Sequence, residues 1–353
     1  MKPFRPLTAA EQAAHHLRDA ILQQRVSGEM PGIHQLAAEL SVNHKTVKAA
    51  LEILQKEGLL VSQGSGKPRR IQLGGVDQPS GMRIAILLYE PSDRAESCLN
   101  HLQHRLDAAG HVSFFARKTL TELKMEVRRV AELVHKTEAD AWVVAGGSCE
   151  VLDWFAAQDF SAFALFGRSV ETPLANISPK KGPAVAAAIQ YLVALGHQRI
   201  VMIARRERRE PVPGFLERAF LDELQAQGIP TGSDNLPDWE VTPAGYQKSL
   251  DGLFRHTPPT ALFIQSPQLT VATLHYAATC GIRIPRDVSL ISMDPDPAYT
   301  WCHPPLSHIA FDNEPWLRRI VQWAKHIARG QEDRRKVSYP ARFVRGGTTG
   351  AAQ

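Results

Sequence analysis

Residues 43–48 read Asn-His-Lys-Thr-Val-Lys, a run that crowds capping, cationic and hydrogen-bonding groups into one turn. Asn43 can cap a helix that starts at His44. A helix start turns free backbone N–H groups outward, and anions such as phosphate bind there. Lys45 and Lys48 add positive charge, Thr46 adds a hydroxyl, and Lys or Asn on such a helix can read base edges in a major groove. Further along, Gly64-Ser65-Gly66-Lys67 leads into Arg69 and Arg70. Glycines there let the backbone come close to a partner, and the cations suit phosphate.

A second set of candidates is dispersed: Tyr89, Arg168, Trp239, Ser266, Gln268, Asp294 and Trp301. Tyr89, Trp239 and Trp301 can stack on a small polar ring, and Asp294 can accept hydroxyl hydrogens in pairs. Each has a plainer reading too. Trp239 follows Asn235-Leu236-Pro237-Asp238 and can anchor a loop; Asp294 can cap a turn before Pro295. The cations Arg205, Arg206, Arg208 and Arg209 read first as a solvated loop, and second as an acceptor for a phosphate or acid group.

Enzyme chemistry leaves no comparable trace. The one Gly-x-Gly, Gly64-Ser65-Gly66, sits in a glycine turn too short for a dinucleotide fingerprint or a P-loop. No HExxH, GxSxG or Ser-His-Asp arrangement is present. Cys98, Cys149, Cys280 and Cys302 are widely spaced, without a CxxC or zinc-like pattern. The expectation is a protein without catalytic residues, metal or cofactor. A reducing, cytoplasmic setting fits the cysteines. No apolar run nears the roughly 18 residues of a membrane span, and no secretory signal is visible, so neither a membrane partner nor export is expected.

The elements that must position these residues follow from charge and periodicity. Of the net charge of +5, residues 1–75 carry +4 (ten Lys/Arg against six Asp/Glu), and the other 278 carry +1 (31 against 30). A basic module therefore precedes a nearly neutral body, and the 353-residue length allows two or three domains. In the module, helices are expected over 8–26, 34–40 and 44–57, with Thr8 and Glu11 as a capping box and Gly58 ending the third helix. A two-stranded wing follows, from Leu59-Leu60-Val61 to Arg69-Arg70-Ile71. Residues 72–82, with Gly74, Gly75, Pro79 and Gly81, read as a linker. From 83 to 347, apolar strands near 83–89, 111–116, 141–145, 162–166, 174–177, 199–204, 261–265 and 288–293 alternate with amphipathic helices, one of them over 120–136. That pattern means parallel sheets covered on both faces, in two lobes: about 83–178 with 308–330, and about 179–307 with 331–347. Ligands in open α/β sheets bind beyond the carboxyl ends of the strands, so the dispersed candidates would meet in a cleft.

Residues 9–71 resemble the winged helix-turn-helix of the GntR family. The resemblance is carried by the stretch from His34 through Leu60, by Glu57-Gly58-Leu59 and by the wing glycines. The body resembles the LacI/GalR effector domain, itself similar to periplasmic sugar-binding proteins. There the matching stretches are Leu192-Val-Ala-Leu-Gly-His-Gln-Arg-Ile200, the run from Gly281 to Asp294, and Pro304-Pro305-Leu306-Ser307-His308-Ile309. Pro211 stands where that family commonly has an arginine. Together the resemblances imply a bacterial transcriptional regulator of the arabinose-repressor type. They assign double-stranded operator DNA to Asn43, His44, Lys45, Thr46, Lys48, Gly64, Gly66, Lys67 and Arg69. They assign a carbohydrate effector to Tyr89, Arg168, Trp239, Ser266, Gln268, Asp294 and Trp301. They further imply a homodimer, with helices 98–109 and 313–328 as contacts, and repression as the mode of action. The competing readings are a DNA-binding regulator whose body serves only dimerisation, and a solute-binding protein, which would have no use for residues 1–75.

Overall fold

In the computed structural model the chain divides into two compact units, Met1–Ser80 and Gly81–Gln353. The structure describes residues 8–22, 26, 28–64, 68–71, 81–256 and 258–353. Gly66, Lys67, residues 23–25 of the first expected helix and residues 72–80 of the expected linker lie outside the described residues.

The first unit is a small α+β module. Helix α1 (Ala9–Leu22) opens with the capping box: Thr8 N–H donates to Glu11 Oε2 at 2.7 Å, and Glu11 N–H donates to Thr8 Oγ1 at 3.3 Å. Helix α2 (Ile33–Glu39) is joined to α3 (His44–Lys56) by a turn whose Ser41 takes φ +55°. Val47, Ala50, Leu51 and Leu54 recur at three and four residues on α3 and are buried against Ala13, Leu17 and Ile21 of α1 and Leu36 of α2. Gly58 has φ +76°, so the chain leaves α3 through a left-handed residue that suits glycine, and Leu59 N–H closes on Leu54 O at 3.0 Å. Strands β1 (Leu60–Val61) and β2 (Arg70–Ile71) pair antiparallel, and Glu29 bridges Arg70 from the other side.

The second unit is a two-lobed α/β body. Its first lobe holds β3 (Arg83–Leu87), α4 (Ser97–Ala108), β4 (Val112–Phe115), α5 (Val127–His135), β5 (Ala141–Ala145), α6 (Cys149–Ala156), β6 (Ser161–Leu165) and β7 (Ala175–Lys180). The chain then crosses into α7 (Lys181–Ala194), β8 (Ile200–Ile203), α8 (Arg206–Arg209), α9 (Phe215–Ala226), α10 (Pro243–His256), β9 (Ala261–Ile264), α11 (Pro267–Thr279), β10 (Ser289–Ser292) and β11 (Ser307–Ala310). It returns through α12 (Glu314–Ile327) and β12 (Lys336–Pro340), and ends in β13 (Arg342–Val344). The first sheet has the order β12-β7-β6-β5-β3-β4, all parallel. The second has the order β13-β11-β10-β9-β8, parallel except for β13. Alternate side chains feed opposite faces. Ile84 and Ile86 pack with α4 and α12, while Ala85 and Leu87 pack with α5 and α6. In the second sheet Ile200 and Met202 face α7 and α9, while Val201 and Ile203 face α10 and α11.

Two lobe boundaries differ from those expected. Residues 308–310 belong to β11 in the second sheet, and residues 336–340 form β12 in the first. The first follows from β11 pairing with β10 and β13; for the second, Arg319 on α12 donates to both carboxylate oxygens of Asp333, at 3.0 and 2.8 Å, a buried ion pair that holds 331–335 to the first lobe. The C-terminal tail stays with the second lobe, where Leu290 N–H donates to Thr348 O at 2.8 Å and Ala352 N–H to Leu195 O at 2.9 Å. The chain thus crosses between lobes at Lys180–Lys181, at Phe311–Asn313 and at Pro340–Arg342. Helix α5 is also shorter than expected. Lys124 and Met125 take φ values of +58° and +54°, which a right-handed helix cannot contain, so helix begins at Val127.

Candidate functional site

In the first unit the N-terminus of α3 is a well-defined cationic tip. Asn43 has extended backbone (φ −75°, ψ 159°) and its Oδ1 accepts from Thr46 N–H at 2.8 Å. That bond fixes the first turn. Asn43, His44, Lys45 and Lys48 are exposed and Thr46 is half-buried, while Val47 and Ala50 of the same helix point into the core. The His44 ring stands edge-on to His34 of α2 at 4.4 Å. In the wing, Gly64 is exposed with φ +112°, Arg69 is half-buried and Arg70 is exposed. Arg69 is tied down by its own carbonyl, which accepts from Met30 N–H at 2.8 Å, and strand alternation turns Arg70 outward opposite buried Ile71.

In the body the carboxyl ends of the parallel strands face one another across the lobes, and the chain's own side chains span the gap. Glu90, just after β3, takes a two-pronged ion pair from Arg205, after β8, at 3.1 Å for each prong. The Arg205 guanidinium lies over the Tyr89 ring at 4.2 Å. Tyr89 is therefore at the cleft, but one face of its ring is already covered. Burial, then the neighbouring Glu207 carboxylate, push its phenol well above the ordinary range.

Arg168, after β6, is 4% exposed. Its Nη1 donates to the carbonyl oxygens of Arg208 and Val212 in the other lobe, both at 3.0 Å, and its Nε lies 2.8 Å from Glu171 and 3.1 Å from Cys149 Sγ. Arg208 answers by donating to Gly167 O in the first lobe, while its Nε pairs with buried Glu217 at 2.9 Å. Gly167 tolerates no side chain here: its φ is +57°, and a Cβ would lie 2.7 Å from the carbonyl carbon of Gly146. The strand ends of β5 and β6 touch through glycine at that point. Glu171 reaches over to Phe215 N–H at 3.1 Å and Arg218 at 3.0 Å.

Asp294 follows β10 and is half-buried, ion-paired to Lys181 at the first crossing. Gln268 donates to Glu96 across the lobes at 3.3 Å. Ser266 caps α11, accepting from Leu269 N–H at 3.4 Å. Tyr89, Arg168, Gln268 and Asp294 thus converge where the lobes meet, with Ser266 beside Gln268.

One expected residue stands elsewhere. Trp239 is buried in the core of the second lobe, edge-on to Tyr246 at 5.1 Å, with its Nε1 donating to Ala204 O at 2.8 Å. Its indole anchors a loop instead of offering a stacking face. Trp301 is 88% exposed at the end of a short 3-10 turn, Pro297–Thr300.

The arginine cluster also differs from the solvated loop expected first. Arg205, Arg208 and Arg209 are largely buried and paired, the last to Asp238 at 2.7 Å and Ala204 O at 2.9 Å; Arg206 is the exposed member. Each of those three guanidiniums is paired with one of the protein's own acids. Lys181, Phe311 and Tyr339 were not singled out in the sequence. Their signal is faint: a Lys-Lys pair at a strand-to-helix crossing, where a cation opposes the helix dipole, marks a charge held for another reason. Among the described residues no group of His, Cys, Asp and Glu is placed to hold a metal ion, and no helix is long and apolar enough to cross a membrane.

Residues 9–66 match the family described as bacterial regulatory proteins, gntR family, and residues 189–349 match the periplasmic binding protein-like domain. The Escherichia coli repressor CytR is 29% identical over 146 residues, covering 41% of this chain and 42% of that protein. The chain thus matches less than half the length of this curated relative. A LacI family regulator from Enterococcus faecium, solved with bound ribose, superposes with a TM-score of 0.61 at 18% identity, over 77% of this chain and all of that one. A complex of the regulator CelR with cellobiose superposes with a TM-score of 0.62 at 15% identity, over 90% of this chain and all of that one. In fold, the body is similar to the solved LacI family regulators, and it follows a module that matches the gntR family.

Proposed function

We propose that the protein is a cytoplasmic, sequence-specific DNA-binding regulator. Its first unit is a GntR-type reader, its body is a LacI/GalR-type sensor, and the combination is that of the arabinose-repressor type. One observation carries this reading: a helix tip capped by Asn43, with His44, Lys45 and Lys48 turned outward, shares a chain with a two-lobed cleft. In this reading α3 enters the major groove, with Asn43, His44, Lys45, Thr46 and Lys48 meeting bases and phosphates, and Gly64, Gly66, Lys67 and Arg69 serve the adjoining backbone. Operator binding represses transcription.

A carbohydrate bound between the lobes supplies the control, as the ribose and cellobiose complexes of similar proteins suggest. In this reading Asp294 and Gln268 take hydroxyl groups, with Tyr89, Arg168 and Ser266 around them. Trp239 contributes only by holding the second lobe in shape. Coupling requires that the ligand bind the two lobe arrangements with different affinity.

The protein acts as a homodimer reading a two-part site. Helices α4 and α12, bound to each other by Arg105–Glu314 at 2.7 Å, present a shallow concave face lined by Arg105, Ala108, Arg318, Val321 and Lys325 that suits a second copy. Operator affinity measured with and without ribose, cellobiose and related sugars tests the reading. A sugar that changes affinity at least tenfold supports it, and retention of DNA regardless of every sugar supports a body that serves dimerisation alone. The side-chain ties across the cleft, Glu90–Arg205 and Arg168 to the Arg208 and Val212 carbonyls, are the observation that favours this second reading.

A further inference from the structure

The three crossings between the lobes bring four groups together on the floor of the cleft. Lys181, at the first crossing, places its ammonium on Asp294 and 4.9 Å from the centroid of the Phe311 ring, at the second. Phe311 stands edge-on to Tyr339, which precedes the third crossing, at 6.3 Å. Tyr339 is 7% exposed and its phenol oxygen has no hydrogen-bond partner among the described residues. The phenol lies within the field of Asp294 and Asp312. A buried hydroxyl without a partner is costly, so a group that supplies one gains accordingly.

The Lys181 ammonium meets a carboxylate and an aromatic face, the two partners that hold organic cations in proteins. Around it the charge is negative. Burial, and then the neighbouring Asp296, Asp294 and Glu90 carboxylates, push the pKa of Glu96 above the ordinary carboxylate value. Arg205 is spent on Glu90. A ligand carboxylate or phosphate approaching Lys181 would therefore meet Asp294, Asp296, Asp312 and Glu96, and a ligand amine would find Asp294 already taken.

We propose that Lys181 determines the charge class of the ligand: by filling a cation subsite made of Asp294, Phe311 and Tyr339, it leaves the cleft suited to an uncharged polyhydroxylated molecule and closes it to amines and to acids. This rests on the reading that the cleft takes an effector. Hydroxyls of such a molecule pair with Asp294, with the Lys181 ammonium and with the free phenol of Tyr339. Lys181 then tunes selectivity without contributing to DNA contact.

The test is thermal unfolding of the full chain, wild type and Lys181→Met, with glucosamine as the cationic probe and glucuronate as the anionic one at matched ionic strength. Methionine keeps the apolar stem over Phe311 and removes the charge; Lys181→Gln is the second variant if the first does not fold. Glucosamine should leave the wild type unmoved and raise the melting temperature of the variant, by about 3–5 °C at a tenfold excess over its dissociation constant. Glucuronate should move neither, and adding Asp294→Asn to the variant should erase the glucosamine shift. Stabilisation of the wild type by glucuronate, lost in Lys181→Met, would show that Lys181 anchors an acid and overturn the proposal. So would a folded Lys181→Met protein that glucosamine does not stabilise, or a wild type that it stabilises equally. Each of these failures leaves operator binding, measured separately, untouched, so it is distinguishable from a failure of the regulator reading.

Discussion

Replacing Arg168 with methionine probes the ties between the lobes. The guanidinium is buried and donates two bonds to the second lobe, to Arg208 O and Val212 O at 3.0 Å each. Bonds from a charged donor contribute roughly 1.5–3 kcal/mol each. The Glu171 partner at 2.8 Å is not orphaned by the change, because Arg218 and the Phe215 amide also hold it. Val212 O loses its donor, Arg208 O keeps the Gly214 N–H at 2.9 Å, and methionine retains most of the stem, so the net loss is about 3–5 kcal/mol, in the range for breaking a buried pair. At about 2–4 °C per kcal/mol, the melting temperature of the body falls by about 6–20 °C. Urea unfolding followed by tryptophan fluorescence isolates this effect, since all six tryptophans lie beyond residue 81. Small-angle scattering of the same variant should show a larger radius of gyration as the lobes part. A loss below about 1 kcal/mol with unchanged scattering would refute the argument that Arg168 is an interlobe strut.

Three further outcomes are expected. Lys45→Ala should weaken operator binding, lower the slope of log affinity against log salt by about one, and leave the circular dichroism spectrum unchanged, because the side chain is exposed. Leu51→Ala removes a fully buried side chain from a small core, costs about 2–5 kcal/mol, and should abolish DNA binding while the tryptophan-detected unfolding of the body stays as in the wild type. Asp93 is raised by burial from 3.8 to about 6, and one of its oxygens accepts from the Tyr89 and Glu90 amides at 3.1 Å. The folded protein binds that proton more tightly than the unfolded chain, so this group's contribution becomes more favourable as pH falls from above 6 towards 4. Asp93→Asn keeps the acceptor oxygen and should be more stable than wild type near pH 7, with a flatter stability profile between pH 4 and 6, as read by denaturant midpoints.

The first unit was legible because its determinants are local. The capping box at Thr8 and Glu11, the Asn43 cap, the spacing of Val47, Ala50, Leu51 and Leu54, and the left-handed Gly58 are each fixed by residues within a few positions of one another. The alternation of the body was legible for the same reason, since apolar strands such as Ala141–Ala145 are buried on both faces. What stayed hidden is non-local. Strand β12 reads Lys-Val-Ser-Tyr-Pro, too polar to announce a strand, and it forms because it lies parallel to β7, with Tyr339 opposite Pro179. Helix α5 failed in its first turns because the helical period of residues 120–126 is overridden by the left-handed Lys124 and Met125. In the cleft, Asp294 and Arg168 were reached through strand-end position. The pairing of Glu90 with Arg205, of Lys181 with Asp294 and of Arg168 with the 208–212 carbonyls joins residues 40 to 115 positions apart, which spacing cannot encode. Trp239 was misplaced because an aromatic after a Pro-Asp turn looks the same whether it faces a ligand or a core.

The central claim is that an exposed cationic helix tip grips duplex DNA. Titration of fluorescent promoter fragments, taken from upstream of the protein's own gene, with the full chain at about 50 and 200 mM salt tests it most directly. The account predicts tight binding to one fragment with a two-part symmetric site, weakening by orders of magnitude between the two salt concentrations. Failure to retain any such fragment even at the lower salt, with the protein folded, would contradict it.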